Sequence, residues 1–160
     1  MALSDINSLL FRRVCSRFAT GITILTVLDE SGTPHGLTVN SFTSVSCEPP
    51  LVLVCVDHRC SLLPCFRRAA HYGINMLGEE QEALSVRFAK RSSNSFEDLS
   101  WEKSPCGAPL LTDALAALEC RTTRILDAGD HAILIAEVTR ARYREGQPLV
   151  YFGSSYRRLS

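Results

Sequence analysis

The run GLTVNSFTSVSCEPPLVLVCVD, residues 36–57, decides how this chain is read. Its second half, Leu51–Val56, is apolar throughout and reads as a strand. Pro49 and Pro50 stop whatever precedes it, because proline has no N–H to give to a ladder. The first half is different. Leu37–Val45 has the β-branched content of a second strand, yet it carries Thr38, Asn40, Ser41, Thr43 and Ser44, with Ser46 just beyond. A half-buried strand alternates apolar and polar residues, whereas these polar groups fall on both faces. Two readings follow from composition: a solvent-exposed edge strand, or a strand whose hydroxyls and amides serve a ligand rich in acceptors.

Working upstream, Ile22–Leu28 is β-branched and reads as a strand, closed by the turn signal at residues 29–34. It should pair with Leu37–Val45 as a hairpin. Before it, Ser4 and Asp5 can cap a helix in which Ile6, Leu9, Leu10 and Val14 recur at helical spacing to about Arg17. Downstream, Ser61–Ala70 reads as a helix with Pro64 in its first turn, Tyr72–Leu77 as a strand and Glu79–Phe88 as a helix. Residues 91–108 form a long polar loop anchored by Phe96 and Trp101. Ala116–Leu126 and His131–Tyr143 are long strands joined by residues 127–130, and Leu149–Phe152 is a last short strand. Strands mostly follow strands without intervening helices. The expected fold is therefore mostly β: one domain over residues 1–160, an antiparallel barrel with a few peripheral helices.

Composition narrows the function. Lys and Arg number 17 and so do Asp and Glu, which argues against a nucleic-acid partner. No apolar run approaches the roughly 20 residues needed to span a bilayer, and the N-terminus lacks signal-peptide order. A cytoplasmic protein is expected, with no membrane partner. The seven cysteines are odd in number and read as free thiols, several of them small core residues. Asp57, Cys60 and Cys65 match no common metal-ligand spacing, so no metal is expected. Glycine fingerprints for dinucleotides or phosphates are missing, as is a nucleophile elbow. Chemistry here would come from a cofactor that the protein binds and orients; the neutral polar run suits the carbonyls, ring nitrogens and ribityl chain of a flavin.

Four runs carry a resemblance: FATGITILT (18–26), residues 36–57, GDHAILIAEV (129–138) and PLVYFGSSYRRL (148–159). In order and spacing they resemble the short-chain flavin reductases of two-component monooxygenases, over nearly the whole chain. The most specific parts are T-x-N-S-F-x-S-V-S-x-x-P-P and Gly129-Asp-His131. The resemblance implies a flavin-binding split β-barrel, a homodimer with FMN or FAD near the subunit interface, and NADH or NADPH as hydride donor. A flavin-dependent oxygenase would be the partner that receives reduced flavin. It also implies residue roles. Thr38, Asn40, Ser41, Ser44 and Ser46 line the flavin ring and phosphoribityl chain, and Cys55 and Val56 meet the ring through their backbone. Ser61 helps hold the phosphate, Phe88 lies beside the flavin, and Tyr156 and Arg157 lie near the active site.

A phosphate also needs a cation, and Arg87, Lys90 and Arg91 are the nearest; a solvated helix end is the other reading of those three. Gly129, Asp130 and His131 match a triplet associated with NADH use. Glycine tightens the turn, Asp130 fixes the imidazole tautomer and His131 orients the nicotinamide carboxamide. A frayed terminus remains the other reading of the Tyr156 segment. Three rival functions stay open at this point: a flavin-binding electron carrier without turnover, a pyridoxamine-phosphate oxidase-like enzyme, and a cysteine-based redox or metal protein.

Overall fold

The computed structural model describes residues 3–90 and 96–159. Along these residues run α1 (Ser8–Cys15), β1 (Thr20–Gly21), β2 (Thr23–Leu28), β3 (Pro34–Val39), β4 (Thr43–Cys47) and β5 (Pro50–Asp57). Then come α2 (Leu63–Arg68), β6 (His71–Met76), α3 (Glu82–Ala89), β7 (Trp101–Lys103) and β8 (Pro109–Leu111). The chain ends with β9 (Ala116–Ala128), β10 (His131–Tyr143), β11 (Val150–Phe152) and β12 (Ser155–Arg157). The main sheet has seven strands in the order β3-β2-β6-β9-β10-β5-β4, and every pairing in it is antiparallel. The mostly-β expectation with few helices is met, although the main sheet is open rather than closed.

Alternation builds the core. In β5 the side chains of Val52, Val54 and Val56 are buried, while Leu51, Leu53, Cys55 and Asp57 lie half-buried on the other face. Ala132, Leu134 and Ala136 of β10 meet them, joined by Leu25, Val27, Ile74 and the Phe66 ring of α2. Phe66 packs edge-on against Tyr72 at 5.8 Å. A second cluster gathers Ile22, Ile24, Leu77, Phe88, Leu111 and Leu149 under Trp101, Tyr151 and Tyr156. Between the two clusters sits Asn75, fully buried yet satisfied. Its Nδ2 donates to the Ile24 carbonyl and to Thr26 Oγ1, both at 3.1 Å, and its Oδ1 accepts the Leu111 N–H at 2.8 Å.

The largest correction falls on the deciding stretch. Leu37–Val45 is not one strand: β3 ends at Val39, Asn40–Phe42 cross over, and β4 begins at Thr43. β3 and β4 are the two opposite edges of the main sheet. Only the first half pairs with β2; the second makes its own hairpin with β5, Thr43 opposite Leu53 and Cys47 opposite Pro50. Polar residues on both faces here mark a chain leaving one edge for the other.

Three smaller corrections follow. The first helix is capped by Asn7, whose Oδ1 accepts from the N–H groups of Leu9 and Leu10 at 3.1 and 2.9 Å, and not by Ser4 or Asp5. It buries no residue, and Leu9, Phe11 and Val14 are exposed. The stretch expected as loop, residues 91–108, contains β7 and the turn with Gly107 at φ 95°, through which β7 pairs with β8 just beyond it. The C-terminal segment is not frayed, because β12 pairs with β11, placing Tyr156 opposite Tyr151.

Candidate functional site

Named contacts gather five of the expected residues into short groups on either side of the Asn40–Phe42 crossing. Thr38 on β3 donates its hydroxyl to the Ser85 carbonyl of α3 at 2.7 Å. The Ser85 hydroxyl in turn lies 2.8 Å from the Tyr156 hydroxyl. Gly36 makes this packing possible, since a Cβ there would stand 2.7 Å from the Phe88 ring. On the far side of the crossing, Ser41 Oγ donates to the Cys55 carbonyl at 3.0 Å and accepts from the Cys55 N–H at 2.9 Å. That single hydroxyl fastens the crossing to β5. Two residues on, Asp57 stands opposite His131 in the β5–β10 ladder.

The other expected residues sit as follows. Ser44 and Ser46 lie on β4 opposite Val52 and Leu51. That places them about 10 Å along the strand from Cys55, outside these groups. Asn40 is exposed and lines a cavity of about 330 Å³ with Phe18, Thr20, Phe42, Thr43 and Leu115. Val56 points into the core, and Phe88, 3% exposed, meets Phe96 edge-on at 5.1 Å. Ser61 is exposed in the turn before α2, Lys90 is exposed at the end of α3, and Arg157 is exposed at the end of β12. Arg87 donates to the Glu97 carbonyl, and Arg91 lies outside the described residues. Gly129, at φ 62°, turns β9 into β10. His131 Nδ1 then lies 2.6 Å from Asp130 Oδ1.

Sequence reading missed several participants. Ser85 holds both Thr38 and Tyr156; its signal was a hydroxyl three residues before Phe88, on the same helix face. Thr20 lies in the resembling run at residues 18–26 but was given no role, yet its Oγ1 is buried beside the 330 Å³ cavity without a hydrogen-bond partner. Asp57 accepts three hydrogen bonds from Arg59 and faces His131.

The electrostatics are local. Hydrogen bonds from the Arg59 side chain and backbone hold the Asp57 carboxyl well below the usual range, with the charge of His131 adding to the effect. The hydrogen bond and charge of His131 lower Asp130 in the same direction. Burial pushes the Cys55 thiol up, toward its protonated form. All seven cysteines stand free, and among the described residues no three His, Cys, Asp or Glu side chains gather as a metal would require. No described helix is long and apolar enough to cross a membrane.

A sequence model of the flavin reductase like domain matches residues 15–160. The chain belongs to this family. An FMN reductase (NADH) from Agrobacterium fabrum is 44% identical over 96% of this chain and 87% of its own length. The reductase subunit of a flavin-dependent monooxygenase from Rhodococcus jostii is 35% identical over 98% of this chain and 80% of its own. Among solved structures, an NADH:FAD oxidoreductase from Streptomyces globisporus C-1027, in complex with NAD and FAD fragments, superposes with a TM-score of 0.92. It is 34% identical, and the match covers 100% of this chain and 98% of that one. The cavity itself suits part of a flavin: its wall is mostly apolar, carries Asn40 and Thr43, and holds the buried Thr20 hydroxyl unpartnered.

Proposed function

We propose that this protein is an NADH-driven flavin reductase that hands reduced flavin to an oxygenase. The observation carrying this reading is the match to the flavin reductase like domain over residues 15–160, with the hydrogen-bonded groups Tyr156–Ser85–Thr38 and Ser41–Cys55 on either side of the crossing and Asp57 paired with His131. The flavin, FMN or FAD, supplies the hydride-accepting ring when bound. Thr38, Asn40 and Ser41, with the backbone of Cys55 and Val56, hold the ring. Ser44 and Ser46 extend the polar surface along β4, and Ser61 and Lys90 hold the phosphate. Phe88 and Tyr156 brace the site from beneath, and Arg157 stands at its rim.

On the donor side, Gly129 and Asp130 fix His131 with Nδ1 toward Asp130, leaving Nε2 to orient the nicotinamide carboxamide. Hydride transfer asks for alignment of two rings more than for acid–base groups, in keeping with a site of neutral side chains. NADH is favoured over NADPH because the relatives are named for NADH. The oxygenase partner is inferred from relatives named as reductase components of monooxygenases.

A homodimer is part of the same reading. The outer face of β5, β9 and β10 presents Leu51, Leu53, Ile133 and Ile135 half-covered beside exposed Leu126, an apolar stripe suited to a second copy. The protein would work as a single cytoplasmic domain, where NADH is available. A steady-state assay crossing NADH and NADPH with FMN, FAD and riboflavin tests the proposal. Turnover should require added flavin and favour NADH. A protein that binds flavin and leaves both nicotinamides unoxidised would overturn it.

A further inference from the structure

We propose that Asp57, clamped by Arg59, is a positioning residue for His131; this rests on the reading of His131 as the nicotinamide-orienting group. The β5–β10 ladder ends on the pair His131 and Asp57, and residues directly opposite one another project their side chains to the same face. Asp130 touches His131 more closely, at 2.6 Å, but its side chain is 83% exposed on a turn and that of His131 is 42% exposed. Water and salt screen a pair so open, and it holds a ring weakly.

Asp57 is different. Its side chain is 29% exposed, and its carboxylate is fixed by the Arg59 N–H at 2.7 Å, Nε at 3.1 Å and Nη2 at 2.7 Å. The guanidinium is itself 79% exposed, so the carboxylate is held mainly by its partial burial and by the Arg59 backbone N–H, with the fork adding direction. The carboxyl is also held down into its charged form by Arg59 and by the charge of His131.

The remaining charged groups around the turn are accounted for. On β9 the register partner of His131 is Ala128, which adds no charge. Behind the turn, Asp127 is shared by His58 and by Arg67 of α2, and the His58 N–H donates to the Asp130 carbonyl. Asp57 is thus the half-buried carboxylate paired in register with His131, its charge partly balanced by Arg59. Asp130 selects the tautomer, while Asp57 restricts where the ring can swing.

The competing explanation is that Asp57 merely caps the turn, through the Arg59 N–H bond. Asp57→Asn separates the two, because the amide oxygen still accepts that N–H while the charge is lost. With the full chain and saturating FMN, Asp57→Asn should raise the KM for NADH about tenfold, leave kcat within about twofold and leave FMN affinity unchanged. Asp57→Glu should recover part of the loss, and Arg59→Gln should raise KM in the same direction, by about threefold. In a His131→Asn background, Asp57→Asn should have no further effect on KM. If His131→Asn raises KM and Asp57→Asn does not, or if the two losses simply add, the Asp57 proposal falls and the reading of His131 stands. If His131→Asn leaves KM unchanged, the reading of His131 fails, and the role of Asp57 fails with it.

Discussion

Residues 34–47 and residues 50–57 are neighbours in sequence and in the same sheet, yet they are held by different forces. β5 buries Val52, Val54 and Val56 on one face, so hydrophobic packing fixes its register and position. β3 and β4 bury no residue fully; Leu37, Val39 and Phe42 rest against the core only in part, and hydrogen bonds such as those of Ser41 and Thr38 fix the rest. Under the proposed function the difference separates scaffold from site: the strand that packs supplies the rigid backing for the polar crossing.

Substitutions should divide along that line. Val54→Ala leaves a cavity in the core and should cost about 2–3 kcal/mol in denaturant unfolding, whereas Val45→Ala, on exposed β4, should change stability by less than about 0.5 kcal/mol. Equal costs would erase the distinction. Glu119 sharpens it from another side, as a polar residue that the sheet buries completely. Burial alone would raise its carboxyl, but hydrogen bonds from Ser104, Thr139 and Cys106 prevail and hold it at about 2, against 4.5 ordinarily. Its depressed carboxyl therefore stabilises the fold fully above about pH 4.5, and that contribution is lost as pH falls toward 2. Glu119→Gln should cost about 2 kcal/mol at neutral pH and flatten the acid limb of the stability profile in that window.

Ser41→Ala comes next. It removes both bonds to the Cys55 backbone and should cost about 1–2 kcal/mol, with a several-fold loss of FMN affinity seen by fluorescence titration. Thr38→Val, which gives up the single bond to the Ser85 carbonyl, should cost about 1 kcal/mol or less.

Legibility in the sequence followed the same division. β2, β5, β6, β9 and β10 could be read from apolar content and turn signals, and the structure places each within a few residues of its expected bounds. The break at Asn40–Phe42 could not, because a polar strand and a polar crossing share a composition and only three-dimensional pairing distinguishes them. The β7–β8 hairpin was hidden in a polar stretch with too few β-branched residues to signal it. In the site, Thr38, Ser41, Cys55, His131 and Tyr156 stood out by resemblance, and hydrogen bonds tie Thr38 to Tyr156 through Ser85 and Ser41 to Cys55. Ser85 did not stand out, since its partners Thr38 and Tyr156 are distant in sequence; Thr20 did not, since its burial beside the cavity is set by the fold; and Arg59, only two residues from Asp57, carried no motif.

If this protein moves a hydride from NADH to a flavin bound beside the Asn40–Phe42 crossing, mixing the protein, FMN and NADH anaerobically and following the absorbance of oxidised flavin will show it. Bleaching should proceed at a rate proportional to protein concentration, slowed in His131→Asn and, through weaker flavin binding, in Ser41→Ala. Flavin that is bound, as its fluorescence would report, yet stays oxidised in the presence of NADH would contradict it.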